Sequence, residues 1–316
     1  MALYQLMNVI VTGSSGFLGR HLTRALLEQG HGVYGLDKVP CPEPQIVNHK
    51  NFFAKQVDIG SLDSVKKAFE TCKDIQFVFH TVALQPVNKD LDIDQYLAIN
   101  VQGAVNILKS CGIYHVHNII ASSSFSVYGQ PQYVPMDEDH PKRPNNLYGL
   151  SKLAAEEIFE FYARKMGMHI VLLRYDGIYG RGQTIPGFIE YLLGACQRGE
   201  GIELFNQGKQ KRDNVFVDDV VQANLKAMLF NGKEQFGVFN IGGDEPKTSL
   251  ETARTVKEIL NSKSQIILSE KSSPLGYDVY MDSSKAKDQL GYKPNSLKEN
   301  FMNMLKGSEQ CQTNIM

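Results

Sequence analysis

The chain reads as an α/β protein, a doubly wound parallel sheet with a smaller C-terminal lobe. Three observations lead there. Short β-branched and aromatic runs alternate with helically spaced apolar residues through the first half. A glycine-rich turn, Thr12-Gly13-Ser14-Ser15-Gly16-Phe17-Leu18-Gly19, directly follows the first of these runs. An acid, Asp37, closes the second run about 20 residues on.

The elements follow in order. Residues 9–11 form a β-branched strand, and 18–29 have helical spacing that stops at Gly30. Residues 33–36 make a second strand, followed by a loop carrying Pro40, Pro42 and Pro44. Residues 52–57 read as a third strand and 62–70 as a helix, 77–80 as a fourth strand and 96–110 as a long helix. Residues 118–121 give a fifth strand, 147–164 a helix and 170–174 a sixth strand. Such alternation implies parallel strands joined by crossover helices.

The second half is less regular. Residues 185–197, 220–230 and 250–260 look helical, and 215–217 and 238–241 look like strands. The expected division is a first domain over 1–175, completed by parts of 214–242, with 176–316 mainly the smaller lobe. The polar, aperiodic stretch 307–316 is expected to fray. There are no internal repeats.

Bulk composition excludes several classes of function. With 316 residues, 42% hydrophobic and 21% charged, the chain can bury a large core. A net charge of −1 indicates no nucleic-acid or anionic-membrane partner, so an anionic substrate needs locally placed cations. Cys41, Cys72, Cys111, Cys196 and Cys311 are scattered and odd in number, which argues against a disulfide framework or a metal site. No apolar run is long enough to span a bilayer, and the start lacks a cleavable leader pattern. A cytoplasmic location is the expectation.

The turn carries the first chemistry. Gly13 permits the tight bend, Gly16 lets backbone approach a pyrophosphate, and Gly19 lets helix pack on strand. The helix amino end then offers N–H groups and a positive dipole end to phosphates. Asp37 is placed to bond ribose hydroxyls and to repel a 2′-phosphate, which favours NAD over NADP, although Lys38 beside it tempers that preference. Asp58-Ile59, at the end of the third strand, is placed to meet an adenine edge; a lone Asp there is otherwise a helix cap.

Tyr148 and Lys152 carry the second. On a helix they lie one turn apart on one face. A free phenol has a pKa of about 10, and a nearby cation lowers it by about 1–3 units, toward a working base.

Together these segments resemble the extended short-chain dehydrogenase/reductase family, in particular its NAD-dependent nucleotide-sugar epimerase branch. Further carriers are His80-Thr81-Val82-Ala83, Asn100, Ser122-Ser123-Ser124, Leu173-Arg174-Tyr175, Arg212-Asp213, Val217-Asp218-Asp219-Val220 and Asn240-Ile241-Gly242. The resemblance implies a Rossmann fold with a substrate-binding C-terminal lobe and a homodimer built on the helices at 96–110 and 147–164. It implies Ser124, Tyr148 and Lys152 as catalytic residues. Tyr148 would exchange a proton with a substrate hydroxyl, Ser124 would bond the same oxygen, and Lys152 would hold the nicotinamide ribose and, with the cofactor's own positive ring, lower the phenol's pKa. Cofactor contacts would come from Gly13, Ser15, Gly16, Phe17, Leu18, Gly19, Asp37, Lys38, Asp58, Ile59, Val82, Ala83, Asn100, Ser122 and Tyr175, besides Tyr148 and Lys152. Substrate contacts would come from Gln85, Ser124, Tyr148 and Arg212. Asn100 is read as bracing its helix, and His80 as structural.

The reaction is narrowed by what is missing. Resembling dehydratases and decarboxylases carry acids after the position of Ser124, where this chain has Phe125 and Ser126, neither of which titrates near neutrality. That leaves oxidation and reduction at one carbon: epimerisation if NAD is kept throughout, net reduction or dehydrogenation if it exchanges. Resembling epimerases continue Arg-Tyr with Phe-Asn, whereas here Asp176-Gly177 follows, and Ser273 to Tyr280 lacks the usual diphosphate arginine. Lys209, Lys211 and Lys271 are candidate substitutes. The competing readings are a free-cofactor reductase of a 4-keto-deoxy nucleotide sugar or other carbinol, and a non-catalytic dinucleotide sensor.

Overall fold

The computed structural model describes residues 6–86, 91–183, 185, 187–230, 232, 234–273 and 276–312, with side chains as far as 305. The first half runs β1 (Asn8–Thr12), α1 (Phe17–Glu28), β2 (Gly32–Asp37), α2 (Pro44–Val47), β3 (Phe52–Gln56), α3 (Leu62–Glu70), β4 (Ile75–His80) and α4 (Ile93–Tyr96). A wide π turn (Leu97–Val101) leads to α5 (Gln102–Ile113), then β5 (Asn118–Ser124), α6 (Leu147–Met166) and β6 (His169–Tyr175). The second half holds β7 (Gly177–Tyr179), α7 (Phe188–Arg198), β8 (Ile202–Leu204), β9 (Lys211–Arg212), β10 (Asn214–Phe216), α8 (Val217–Ala227) and β11 (Phe236–Ile241). It ends with β12 (Lys247–Thr248), α9 (Ser249–Ile259), β13 (Ile266–Leu268), α10 (Ser284–Gln289) and α11 (Leu297–Gln312).

Seven strands form the central sheet in the order β11-β6-β5-β4-β1-β2-β3, and every neighbouring pair is parallel. Alternate residues of one strand feed opposite cores, because side chains on a strand point to opposite faces. Val9 and Val11 pack with Leu22 and Leu26 of α1 and with Val220 and Ala223 of α8. Ile10 packs on the other face with Ile107 and Leu108 of α5 and with Ala155 and Phe159 of α6. The doubly wound reading therefore holds. β1 ends at the glycine turn and β5 at Ser124, so both feed the carboxyl edge of the sheet, where ligands bind in such folds.

Several elements differ from the sequence reading. The Pro-rich loop contains the short helix α2, started by Pro44, whose fixed φ suits the first helical turn. The long helix expected over 96–110 is instead α4, a π turn and α5. The stretch expected to fray, 307–316, is helical as far as Gln312, where α11 ends; residues 313–316 lie outside the described part. Its start is fixed by a reciprocal cap: Ser296 N–H donates to Glu299 and Glu299 N–H donates to Ser296 Oγ. β7, β8, β9, β12 and β13 are two or three residues each, too short to show a period.

The helix that carries Tyr148 is locked at its start, middle and end. Asn146 Oδ1 accepts the Gly149 N–H at 2.7 Å, and Gly167 closes the helix at φ +65°. In the middle, Glu156 takes a bidentate pair from Arg174, Nε at 2.9 Å and Nη2 at 2.7 Å, with both side chains under 5% exposed. Ser123 Oγ donates to the same carboxylate at 2.5 Å. Arg174 Nη1 donates to Tyr128 Oη at 2.8 Å, whose hydroxyl donates to Asn240 Oδ1 at 2.7 Å. One buried network thus joins α6, β5, β6 and β11.

Removing one member strands a buried charge. Arg174→Met or Glu156→Leu alone is expected to cost about 3–5 kcal/mol, and the double replacement less than either single change. Chemical denaturation of the four proteins checks this; additive losses would contradict it.

Candidate active site

The glycine turn needs its glycines for space as well as for conformation. Gly13 sits at φ +71°, and a Cβ there would lie 2.9 Å from the Val82 Cα. A Cβ on Gly19 would come within 1.9 Å of the Gly13 carbonyl oxygen, so helix and turn touch backbone to backbone. Gly16 is exposed and caps α1 with no side-chain hydrogen bond, which leaves the helix amino end as bare backbone donors. Leu18 is buried in the core, so only its backbone faces the turn; Phe17 is half-buried against His21.

At the end of β2, Asp37 Oδ2 accepts the Ser15 N–H at 2.9 Å and Oδ1 the Val39 N–H at 3.1 Å. The acid is thereby fixed against the turn. Lys38 reaches Asp58 at 3.8 Å, an exposed pair worth little in stability that nevertheless spends Lys38 on a carboxylate. Asp58 does not cap α3: Ser61 does, while Asp58 bonds the Gly60 N–H. The Ile59 side chain is buried in the core beneath α5.

The segment after β4 is held by Asn100. Its Oδ1 accepts the Leu84 N–H at 2.7 Å, and its Nδ2 donates to the Leu84 carbonyl at 3.1 Å and to Ser151 Oγ at 2.9 Å. Ser151 in turn donates to the Tyr148 carbonyl at 2.7 Å. Asn100 therefore ties the Val82-Ala83-Leu84 backbone to the helix carrying Tyr148, and it stands on the π turn, a feature that recurs at functional sites. Gln85 is exposed just beyond. His80 is buried, bonded to Thr12 Oγ1 at 3.0 Å and kept neutral, its pKa lowered to about 3 by burial and by the Lys152 charge.

Ser124, Tyr148 and Lys152 come together above β5. The Ser124 hydroxyl lies near enough to Tyr148 to act on its phenol, and Ser124 accepts the Ser126 N–H at 3.2 Å and donates to Ser126 Oγ at 3.1 Å. Lys152 is buried and its Nζ donates to the Ser122 carbonyl at 2.6 Å. Tyr175 is buried next door, its hydroxyl bonded by Asn224 at 2.9 Å and by Ser122 Oγ at 3.4 Å.

Lys152 alone does not lower the pKa of Tyr148: without the cofactor's positive ring the phenol is pushed up to about 12. Burial is the main cause, with the neighbouring Tyr96 adding to it and the Ser124 hydroxyl opposing it. The ammonium is directed at a carbonyl instead, and burial lowers its own pKa to about 8 against the pull of Glu156. The site without a further positive charge thus holds Tyr148 as a neutral phenol.

Arg212 is half-buried, with Nη1 on the Tyr277 carbonyl at 2.6 Å and the Lys211 carbonyl at 3.0 Å. It faces the charges of Asp176 and Asp278. Lys271 pairs with Glu203 at 2.9 Å. Sequence reasoning missed Tyr96, whose ring centroid lies 6.3 Å from that of Tyr148, although its four-residue spacing from Asn100 was a usable signal. It also missed that the charge of Asp213 bears on Asp176.

The bare backbone at Gly16, the fixed Asp37 and the Ser124–Tyr148–Lys152 group fit a dinucleotide, and define a dinucleotide-dependent enzyme of the α/β class. Residues 9–242 match the NAD-dependent epimerase/dehydratase family. A putative UDP-glucose 4-epimerase of Methanocaldococcus jannaschii is 33% identical over 291 residues, covering 90% of this chain and 93% of that one. The structure of Thermotoga maritima UDP-glucose 4-epimerase with UDP-glucose superimposes with a TM-score of 0.85 at 29% identity, covering 97% and 100% of the chains. The Thermus thermophilus UDP-glucose 4-epimerase with NAD gives 0.81 at 26%, covering 95% and 98%. The chain belongs to the NAD-dependent epimerase/dehydratase family, in the extended short-chain dehydrogenase/reductase group, and its cofactor is NAD. Among the described residues no helix is long and apolar enough to cross a membrane.

In the cofactor-free protein the Tyr148 phenolate is expected only as pH approaches about 12. The ultraviolet difference between wild type and Tyr148→Phe during a pH titration reads it. A phenolate forming near the ordinary value of about 10 would contradict the burial argument.

Proposed function

We propose that this enzyme epimerises a nucleotide sugar at one carbinol carbon, in the manner of a UDP-hexose 4-epimerase. The observation that carries the reading is the grouping of Ser124, Tyr148 and Lys152 at the carboxyl edge, with Lys152 one turn along α6 from Tyr148, Ser124 near enough to act on the phenol, and no titrating group at Phe125 or Ser126. Bound NAD supplies the redox partner and the positive ring charge that the phenol lacks. The chain's own part is then defined. Tyr148 takes the substrate hydroxyl proton and later returns it, within a hydrogen bond that Ser124 shares. Lys152 and Asn100 fix the position of that hydroxyl pair: Lys152 holds the β5 end through the Ser122 carbonyl, and Asn100 holds α6 through Ser151. The bare turn holds the pyrophosphate and Asp37 a ribose, with Val82, Ala83 and Tyr175 lining the cleft. Arg212, a planar fork suited to phosphate oxygens, draws the substrate diphosphate, and Gln85 borders the sugar.

The Asp176-Gly177 pair and the absence of an arginine from residues 273–280 favour a second reading, a reductase with exchangeable cofactor. Exposed Leu147, Leu150 and Phe161 on one side of α6 support a homodimer; a cytoplasmic location and a domain division at about residue 175 complete the reading.

Purified enzyme incubated with UDP-glucose or UDP-galactose is expected to interconvert them while keeping its NAD, with no net reduced cofactor. Tyr148→Phe is expected to lower turnover by about 10²–10⁴-fold and leave NAD retention unchanged. Stoichiometric consumption of reduced cofactor with a ketone, and no interconversion, would sink epimerisation in favour of the reductase.

A further inference from the structure

A charge arrangement at the end of β6 plays no part in the proton transfer above. β7 and β10 run parallel with Asn214 opposite Gly177, which sets Asp213 beside Asp176 one residue earlier. Both are buried, at 3% and 7% exposed. Asp176 Oδ1 accepts the Gly177 N–H at 2.6 Å, and Asp213 Oδ1 accepts the Gly243 N–H at 2.7 Å. Asp176 Oδ2 is buried with no hydrogen-bond partner. Space is closed around the pair as well, since a Cβ on Gly242 would lie 2.0 Å from Asp213 Oδ2.

Two carboxylates in such a place cannot both ionise at low cost. A proton held between them supplies the missing partner for Oδ2 and leaves the pair with one negative charge. The titration behaviour agrees: burial and the Asp213 charge push Asp176 well above the usual carboxylate range, and burial lifts Asp213 to about 6. Other charges bear on the pair from every side. Arg212 acts on Asp176, Lys287 and Asp244 act on Asp213, and Asp278 and Tyr277 act on Arg212.

We propose that Asp176 and Asp213 hold a single proton between them and act as positioning residues for Arg212, limiting the negative charge beside its guanidinium so that it attracts a substrate diphosphate. The inference rests on the nucleotide-sugar reading and adds a proton-linked control of substrate affinity. Loss of the shared proton places a second negative charge against Arg212, and anion binding weakens. The sign follows: affinity is highest at the acid end and falls as pH rises through the pair's upper titration.

UDP-glucose is the probe, because its diphosphate is a diester and does not titrate near neutrality. Calorimetric titration of the full-length NAD-loaded protein is expected to show affinity falling about tenfold between about pH 5 and about pH 8, one unit of linked pKa shift being tenfold. Asp176→Asn, which keeps a donor facing Asp213 without the ionisation, is expected to hold the acid-end affinity across the range. Asp213→Asn does the same from the other side, so the inference survives a folding failure of either variant. A flat wild-type profile, or a pH-dependent fall that persists in both variants, overturns the shared-proton role and leaves the nucleotide-sugar reading standing. No UDP-glucose binding in any of the three proteins at any pH overturns both.

Discussion

The Glu156–Arg174 pair is the interaction on which the site depends. Two charges buried together are tolerated only when each is fully hydrogen-bonded, and here Ser123, Tyr128 and Asn240 complete the set. The pair ties α6 to β6, and through the Ser123 hydroxyl on Glu156 it also bridges the gap that separates Tyr148 and Lys152 on α6 from Ser122 and Ser124 on β5. It therefore fixes the separation of those side chains. Glu156 lies one turn from Lys152, and its charge raises the pKa that burial lowers. A single carboxylate thus anchors the helix and keeps the lysine ionisable near neutrality.

Burial sets the rest of the electrostatics. The same low-dielectric surroundings that hold Tyr148 neutral also depress His80, which keeps that imidazole a passive partner of Thr12. Under the proposed function, a base at Tyr148 that forms only when a positive charge arrives does not abstract protons without its cofactor in place. On that proposal the turn at Gly16 and Tyr148 are coupled without touching: one recruits the charge that the other requires.

Much of this was legible in the chain. The first six strands announce themselves because each is a short β-branched or aromatic run set between helical periods, and the glycine turn because only glycine fits Gly13 and Gly19. Other features depend on quantities that spacing does not carry. The π turn at Leu97–Val101 is one; its sequence is ordinary helix, and Asn100 bonding Leu84 goes with the wider turn. The direction of the Tyr148 shift is another, since residue identity names the neighbouring cation but not where its Nζ points. Asp176 and Asp213 meet only through the register of β7 and β10, each three residues long.

If the enzyme works as proposed, one phenol and one retained cofactor serve both directions of a reaction on a single substrate. Deuterium placed at the sugar C4 of UDP-galactose tests it most directly, with mass spectrometry of the UDP-glucose formed. The label is expected to stay at that carbon in the product, with none passing to added NAD in solution. Label washed out into the free cofactor pool would contradict it.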